Sequence, residues 1–152
     1  MATVRPAIED DIPHILELYN NQLALGASPA ELKQSPSAND YRQVFRKIGA
    51  LPGCELLVAE EQGEVIGTAM LVIVPNLSHS ALPWAVVENV VVDSGYRRKG
   101  IGKLLMDEIT ARAKEAGCYK VQLLSNKSRS EAHQFYLSLG YEASAEGFRL
   151  YL

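Results

Sequence analysis

Apolar residues along this chain switch between two spacings, and the switches mark out its elements. Ile12, Ile15, Leu16, Tyr19 and Leu23 share one side of a helix, as a period near 3.6 requires. Glu9-Asp10-Asp11 supplies the acidic start that a helix favours, Pro13 is tolerated in the first turn, and the pattern fades by Gly26. A second helical run carries Tyr41, Val44, Phe45, Ile48 and Leu51, with Asn39 or Asp40 as its cap and Pro52-Gly53 as its stop. Ile101, Leu104, Leu105, Ile109, Ala113 and Ala116 predict a third helix, closed by Gly117. A fourth carries Ala132, Phe135, Tyr136 and Leu139 between Ser130 and Gly140.

Strand-like runs fill the intervals. Thr3 to Ala7 is a brief first strand, and Glu55 to Glu60 and Val65 to Val74 form a hairpin about Glu61-Gln62-Gly63-Glu64. Asn76 to Pro83 is a polar loop. Trp84 to Val92 is nearly continuous apolar sequence broken by Glu88-Asn89, as expected of a central strand covered on both faces. Lys120 to Ser125 is a further strand, and Tyr141 to Ala145 with Phe148 to Leu152 reads as a closing pair. The order β-α-α-β-β-β-α-β-α-β-β predicts an α/β (α+β) fold in which a mixed sheet carries flanking helices, with residues 1–152 forming one domain.

The chain has 152 residues, 47% of them hydrophobic and 22% charged, enough for one packed core. A net charge of −3 offers no field to gather nucleic acid or anionic membrane, so an anion site must be local. No apolar run approaches the length of a membrane span, and the N-terminus lacks a secretory apolar stretch. Cys54 and Cys118 suit neither a disulfide framework nor a metal site, and two thiols fit a reducing cytoplasm.

One local anion site stands out. Arg97-Arg98-Lys99-Gly100-Ile101-Gly102, followed by Lys103, lies between an apolar strand and a helix. Unpaired N–H groups at the positive end of a helix attract a phosphate, and side chains at Gly100 or Gly102 would hold a diphosphate away from them. A dinucleotide fingerprint needs a third glycine where Leu105 stands and an acidic residue where the next strand ends in Ser125. A phosphate loop of the G-x-x-x-x-G-K type needs lysine where Ile101 follows Gly100. Neither fits.

The remaining pattern, [Arg/Gln]-x-x-Gly-x-[Gly/Ala] after a β-strand, resembles the GNAT superfamily of N-acetyltransferases, and residues 97–102 match it at every specified position. Residues 90–105 and 117–121 look like the glucosamine-phosphate acetyltransferase branch. Ser125 to Tyr136 is closer to a bacterial group that includes aminoalkylphosphonate acetyltransferases. The resemblance implies the GNAT fold, in which strands corresponding to Trp84–Asp93 and Lys120–Ser125 run parallel and splay apart. It implies acetyl-CoA as co-substrate, with pantetheine along the backbone of Val90, Val91 and Val92 and diphosphate on the amides from Arg98 to Lys103. Its acceptor would be a small-molecule primary amine attacking directly, with no metal; the other reading is a non-catalytic CoA-binding or regulatory domain. Many members form dimers, so a homodimer belongs to the same expectation.

Acyl transfer from a thioester to an amine needs a route for the ammonium proton and a proton for the departing thiolate. Tyr136 stands where the family often carries a tyrosine acid, although helical spacing with Ala132 and Leu139 also suits a core aromatic. Glu88, on the face of Val90 and Val92 by the two-residue strand period, is a candidate base acting through water. It would need desolvation for that role, and holding a substrate amine or an arginine is the alternative. Asn126 stands where the family touches pantetheine, or is simply a polar strand end. His79 and Trp84 lie in or beside the loop expected to overlie the acceptor; His14 and His133 are read as surface or cofactor-facing, and Cys118 as structural.

Overall fold

The computed structural model describes residues 1–22 and 28–152; the expected fading of the first helix, at Leu23 to Gly26, lies outside the described residues. The elements are β1 (Thr3–Pro6), α1 (Ile12–Gln22), α2 (Ala38–Ala50), β2 (Cys54–Glu61), β3 (Glu64–Val74), β4 (Trp84–Val92), α3 (Ile101–Glu115), β5 (Val121–Leu123) and α4 (Ser130–Ser138). Short 3-10 turns precede α1, α2 and α3. Ser37, rather than Asn39 or Asp40, caps α2: its hydroxyl accepts from the Asp40 amide while the Asp40 carboxylate accepts from the Ser37 amide. This reciprocal pair satisfies two amide donors that a helix start leaves open.

The strands line up in chain order, β1 to β5. The first four are antiparallel, and β5 joins β4 in parallel. Gln62 and Gly63, with φ of 52° and 82°, make the tight turn between β2 and β3. One face of the sheet carries Leu57, Ala69, Leu71, Ala85 and Val87, which form a core with Leu105, Met106 and Ile109 of α3. Cross-strand partners project from the same side of a sheet, so Val58, Thr68 and Val91, paired in register, belong to the opposite face. There α1 lies against β3 and β4, burying Ile15 and Leu18. The sheet is thus sandwiched between helices.

The expected closing strands are absent: residues 141–152 run without strand pairing. The physical reason is the brevity of β5, whose three residues offer a sixth strand too few ladder bonds to repay ordering it. Tyr141 instead ends α4, its amide donating to the Tyr136 carbonyl. Phe148, Leu150 and Leu152 are left exposed.

Asp11, only 5% exposed, ties the chain start to the sheet. Its carboxylate accepts from both terminal nitrogens of Arg5 at 2.7 and 3.0 Å and from the Ile8 amide at 2.8 Å. Burial alone would raise its pKa; the Arg5 and Ile8 hydrogen bonds and the Arg5 charge outweigh this and hold it below the usual carboxylate range. Removing one member of such a pair strands the other, so Asp11→Ala is expected to lower unfolding free energy by about 3 kcal/mol in urea titration. Because the folded pKa is the depressed one, the stabilisation is complete above pH ~4 and is lost as pH falls through the folded value. Asp11→Asn should flatten that acid limb.

Candidate active site

Pairing between β4 and β5 is confined to Ala85–Val121, Val86–Gln122 and Val87–Leu123. Beyond these the strands part, as expected. Val90, Val91 and Val92 therefore line an edge of β4 that β5 does not cover, while β3 pairs with the other edge. Backbone polar groups freed from a ladder need other partners, which suits the amides of pantetheine. The Ser125 hydroxyl, just past β5, is buried with no hydrogen-bond partner among the described residues. A buried hydroxyl beside an open ladder calls for a polar partner, which suits a ligand chain laid along it.

The two-residue period does not survive to Val90. Met70 pairs with Glu88 and Thr68 with Val91, so two residues of β4, Asn89 and Val90, oppose Ala69 alone. This is a β-bulge, and Asn89 takes a left-handed φ of 53° within it. Asparagine tolerates that conformation better than other side chains. Glu88 consequently shares its face with Val91, on the α1 side, whereas Val90 and Val92 pack with the α3 core. The expected grouping of Glu88 with Val90 and Val92 is thus corrected. Glu88 is also exposed to solvent, without the desolvation expected of a base.

After β4, Asp93 accepts from the Gly95 amide at 2.8 Å and turns the chain towards α3. Intrahelical bonding begins with the Leu104 amide on the Gly100 carbonyl, leaving the amides of Ile101, Gly102 and Lys103 without helix partners. Gly100 has φ of 80° with open space around it, so a left-handed turn is what requires glycine there. Gly102 answers to a different constraint: a Cβ would sit 3.0 Å from the tip of the Phe135 ring on α4. The expectation that both glycines serve diphosphate approach thus needs an addition, since Gly102 is where α4 rests on α3. Arg97 donates to Gln22 at 3.1 Å, Lys103 pairs with Asp107 at 2.6 Å, and Lys99 lies over the Tyr96 ring. Arg98, at φ 60°, extends the left-handed turn.

Tyr136 lies on the α3 side of the sheet, packed edge-on against Phe135 and Tyr141 and against the core that includes Val90 and Val92. Burial pushes its pKa up and the Arg129 charge opposes this, so it remains a protonated phenol through neutral pH. Glu88 and Tyr136 therefore belong to opposite faces of the sheet, with the strand gap beside β4. Asn126 accepts from the amide and hydroxyl of Ser128 at 3.2 and 3.1 Å, so what it has left for a ligand is its side-chain NH2. His133 bonds the Asn126 carbonyl at 2.8 Å through Nε2, which must donate, and so braces that loop rather than facing away.

The loop before β4 packs against the residues that lead into β5. His79 stacks on Tyr119 with centroids 4.3 Å apart, and Lys120 sits over Trp84. Trp84 is four residues, about 13 Å of strand, before the gap opens at Glu88. Both cysteines are free. Burial pushes the two thiols up, with Glu55 adding to the effect at Cys54, which is the reverse of nucleophile activation. Among the described residues no helix is long and apolar enough to cross a membrane. Gln22 and Ser125 escaped the sequence reading: the former belongs to no motif, and the latter only begins the stretch that resembles the bacterial group.

A sheet that opens between two parallel strands in front of a glycine turn defines the acetyltransferase class of fold. The model of the Acetyltransferase (GNAT) family matches residues 16–141, and the chain belongs to that family. It is 36% identical over 88 residues to a glucosamine 6-phosphate N-acetyltransferase of Trypanosoma brucei brucei, covering 58% of each chain. It is 32% identical over 114 residues to an aminoalkylphosphonate N-acetyltransferase of Salmonella typhimurium, covering 74% of this chain and 73% of the other. The matched part spans 58% of the Trypanosoma relative and 36% of a Drosophila melanogaster one. Among solved structures, a putative acetyltransferase from Agrobacterium tumefaciens superposes with a TM-score of 0.84 at 33% identity, covering 99% of both chains. A Bacillus halodurans protein described as a transcriptional regulator gives 0.88 at 28% identity over the full length of both.

Proposed function

We propose that the protein transfers the acetyl group of acetyl-CoA to the primary amine of a small molecule by direct attack. The observation that carries this reading is the parting of β4 from β5 after Val87 and Leu123, ahead of the glycine turn. In it, the amides from Arg98 to Lys103 hold the diphosphate, helped by Arg97, and the open backbone of Val90, Val91 and Val92 with Asn126 holds pantetheine. Bound acetyl-CoA supplies the activated acyl group. Glu88, exposed on the α1 side of the open gap, receives the ammonium proton through water, with the bound substrates supplying the desolvation that the protein alone does not. As the new C–N bond forms and the C–S bond breaks, Tyr136 donates its phenolic proton to the sulfur from the α3 side, and the second proton of the amine nitrogen, released as the amide forms, passes through water to restore the phenol.

A cytoplasmic setting, on the two free thiols, and a homodimeric assembly, on the family resemblance, complete the proposal. The test is acetyl-CoA turnover across polyamines, aminosugar phosphates, aminoalkylphosphonates, amino acids and a peptide N-terminus. At least one amine is expected to be acetylated, with Glu88→Gln lowering kcat about 10- to 100-fold, towards the low end of what a positioned base contributes because a water intervenes. Tight acetyl-CoA binding by calorimetry with no amine acetylated would favour a non-catalytic CoA-binding role instead.

A further inference from the structure

Gln22, the last residue of α1, is tied to the turn between β4 and α3 by both ends of its carboxamide. Its nitrogen donates to the Ser94 hydroxyl at 3.3 Å, and its oxygen accepts from Arg97 Nη2 at 3.1 Å. A guanidinium only donates, so the amide oxygen must face Arg97 and the NH2 must face Ser94. Ser94 opens the 3-10 turn Ser94–Tyr96, and Arg97 follows it. One side chain thus brackets this turn from 72 and 75 positions away in sequence. Gln22 also lines a cleft of about 90 Å³ with Asn21, Val65 and Asp93, so hydrogen bonds rather than close packing fasten the end of α1 to the turn.

We propose that Gln22 is a positioning residue for CoA binding, holding Arg97 in one arrangement at the glycine turn before the diphosphate arrives. The inference rests on the acetyl-CoA reading of this turn. Its physical basis is entropy. Arg97 is exposed, and a long free side chain must be ordered when it engages a phosphate; ordering it beforehand removes that cost from binding. The bond to Gln22 engages Nη2 and leaves Nε and Nη1 to meet the anion. Gln22 touches no part of the ligand in this scheme. It acts through Arg97.

Gln22→Met keeps an unbranched side chain of similar length and deletes both bonds. Acetyl-CoA should bind the variant more weakly by roughly three- to tenfold in calorimetry. KM should rise alike, with kcat within about twofold of wild type. S-acetylpantetheine, which lacks the diphosphate, should bind variant and wild type equally, as followed by NMR titration of the β4 amides. In an Arg97→Ala background, adding Gln22→Met should weaken acetyl-CoA no further. Wild-type affinity for acetyl-CoA in Gln22→Met, equal losses for both thioesters, or full additivity with Arg97→Ala overturns the proposal. A wild type that binds acetyl-CoA no better than S-acetylpantetheine refutes the diphosphate reading of the turn and this role with it. An advantage that survives Gln22→Met refutes the role alone. Should Gln22→Met not fold, Gln22→Glu carries the test. Its carboxylate cannot donate to Ser94 and sets a negative charge beside the turn, so acetyl-CoA should bind more weakly, most of all at low salt. Unchanged affinity there overturns the proposal equally.

Discussion

Tyr136→Phe is expected to lower kcat on the order of 10²- to 10⁴-fold while leaving the KM for acetyl-CoA and the melting temperature nearly unchanged. The substitution removes one hydroxyl and preserves the edge-on contacts with Phe135 and Tyr141. A thiolate leaving from CoA needs a proton, and in the proposed arrangement this phenol is the donor on the α3 side of the gap. The pH dependence carries a sign. Burial raises the pKa of Tyr136 against the opposing charge of Arg129, so the proton-bearing form persists across neutral pH. Activity should therefore hold on the alkaline side until above pH ~10 and then fall, and the phenylalanine variant should lack that limb. Steady-state kinetics from pH 7 to 11 with the best amine of the panel make the measurement. A variant with unchanged kcat would return Tyr136 to the status of a core aromatic.

Gly102→Val is expected to have the second largest effect, and it acts on the same phenol. A Cβ at this position would lie 3.0 Å from the Phe135 ring, and valine adds two methyl groups behind it. Overpacking of this kind costs about 1–3 kcal/mol, and relief comes by moving α4 away from α3. Tyr136 follows Phe135 directly, so a shift near 1 Å carries the acid out of line, at a cost on the order of 10²-fold in kcat. Acetyl-CoA affinity should fall as well, because the displaced helix borders the amides of the glycine turn. A compensating cut at the partner separates the two causes. Phe135→Ala in the Gly102→Val background should recover stability and much of kcat if helix packing is at fault, and neither if crowding of the diphosphate is. Thermal melts and acetyl-CoA calorimetry on the two variants read the difference.

The class of fold, the strand-turn-helix unit and the family motif were legible in the sequence because each is a local property. Period-3.6 stripes place α1 to α4, and Gly100 stands where a left-handed turn needs it. The family motif lies within six consecutive residues, and Tyr136 follows at a family spacing. Misreadings arose at two scales, a local pair and a long-range edge. The cap of α2 depends on a reciprocal pair that Ser37 forms better than its neighbours, and the closing strands depend on an edge partner that β5 is too short to provide.

The bulge at Asn89 shows the limit most sharply. Along β4 the letters alternate well enough to suggest that Glu88, Val90 and Val92 share a face, and nothing in that stretch announces an extra residue. The register of β3 against β4 reverses the assignment. Sequence alone therefore determined the family and the order of its elements, since apolar period, turn glycines and the family motif are written in neighbouring residues. Tertiary structure decided on which side of the sheet each group works, because a face is a property of pairing between strands and no strand contains its partner.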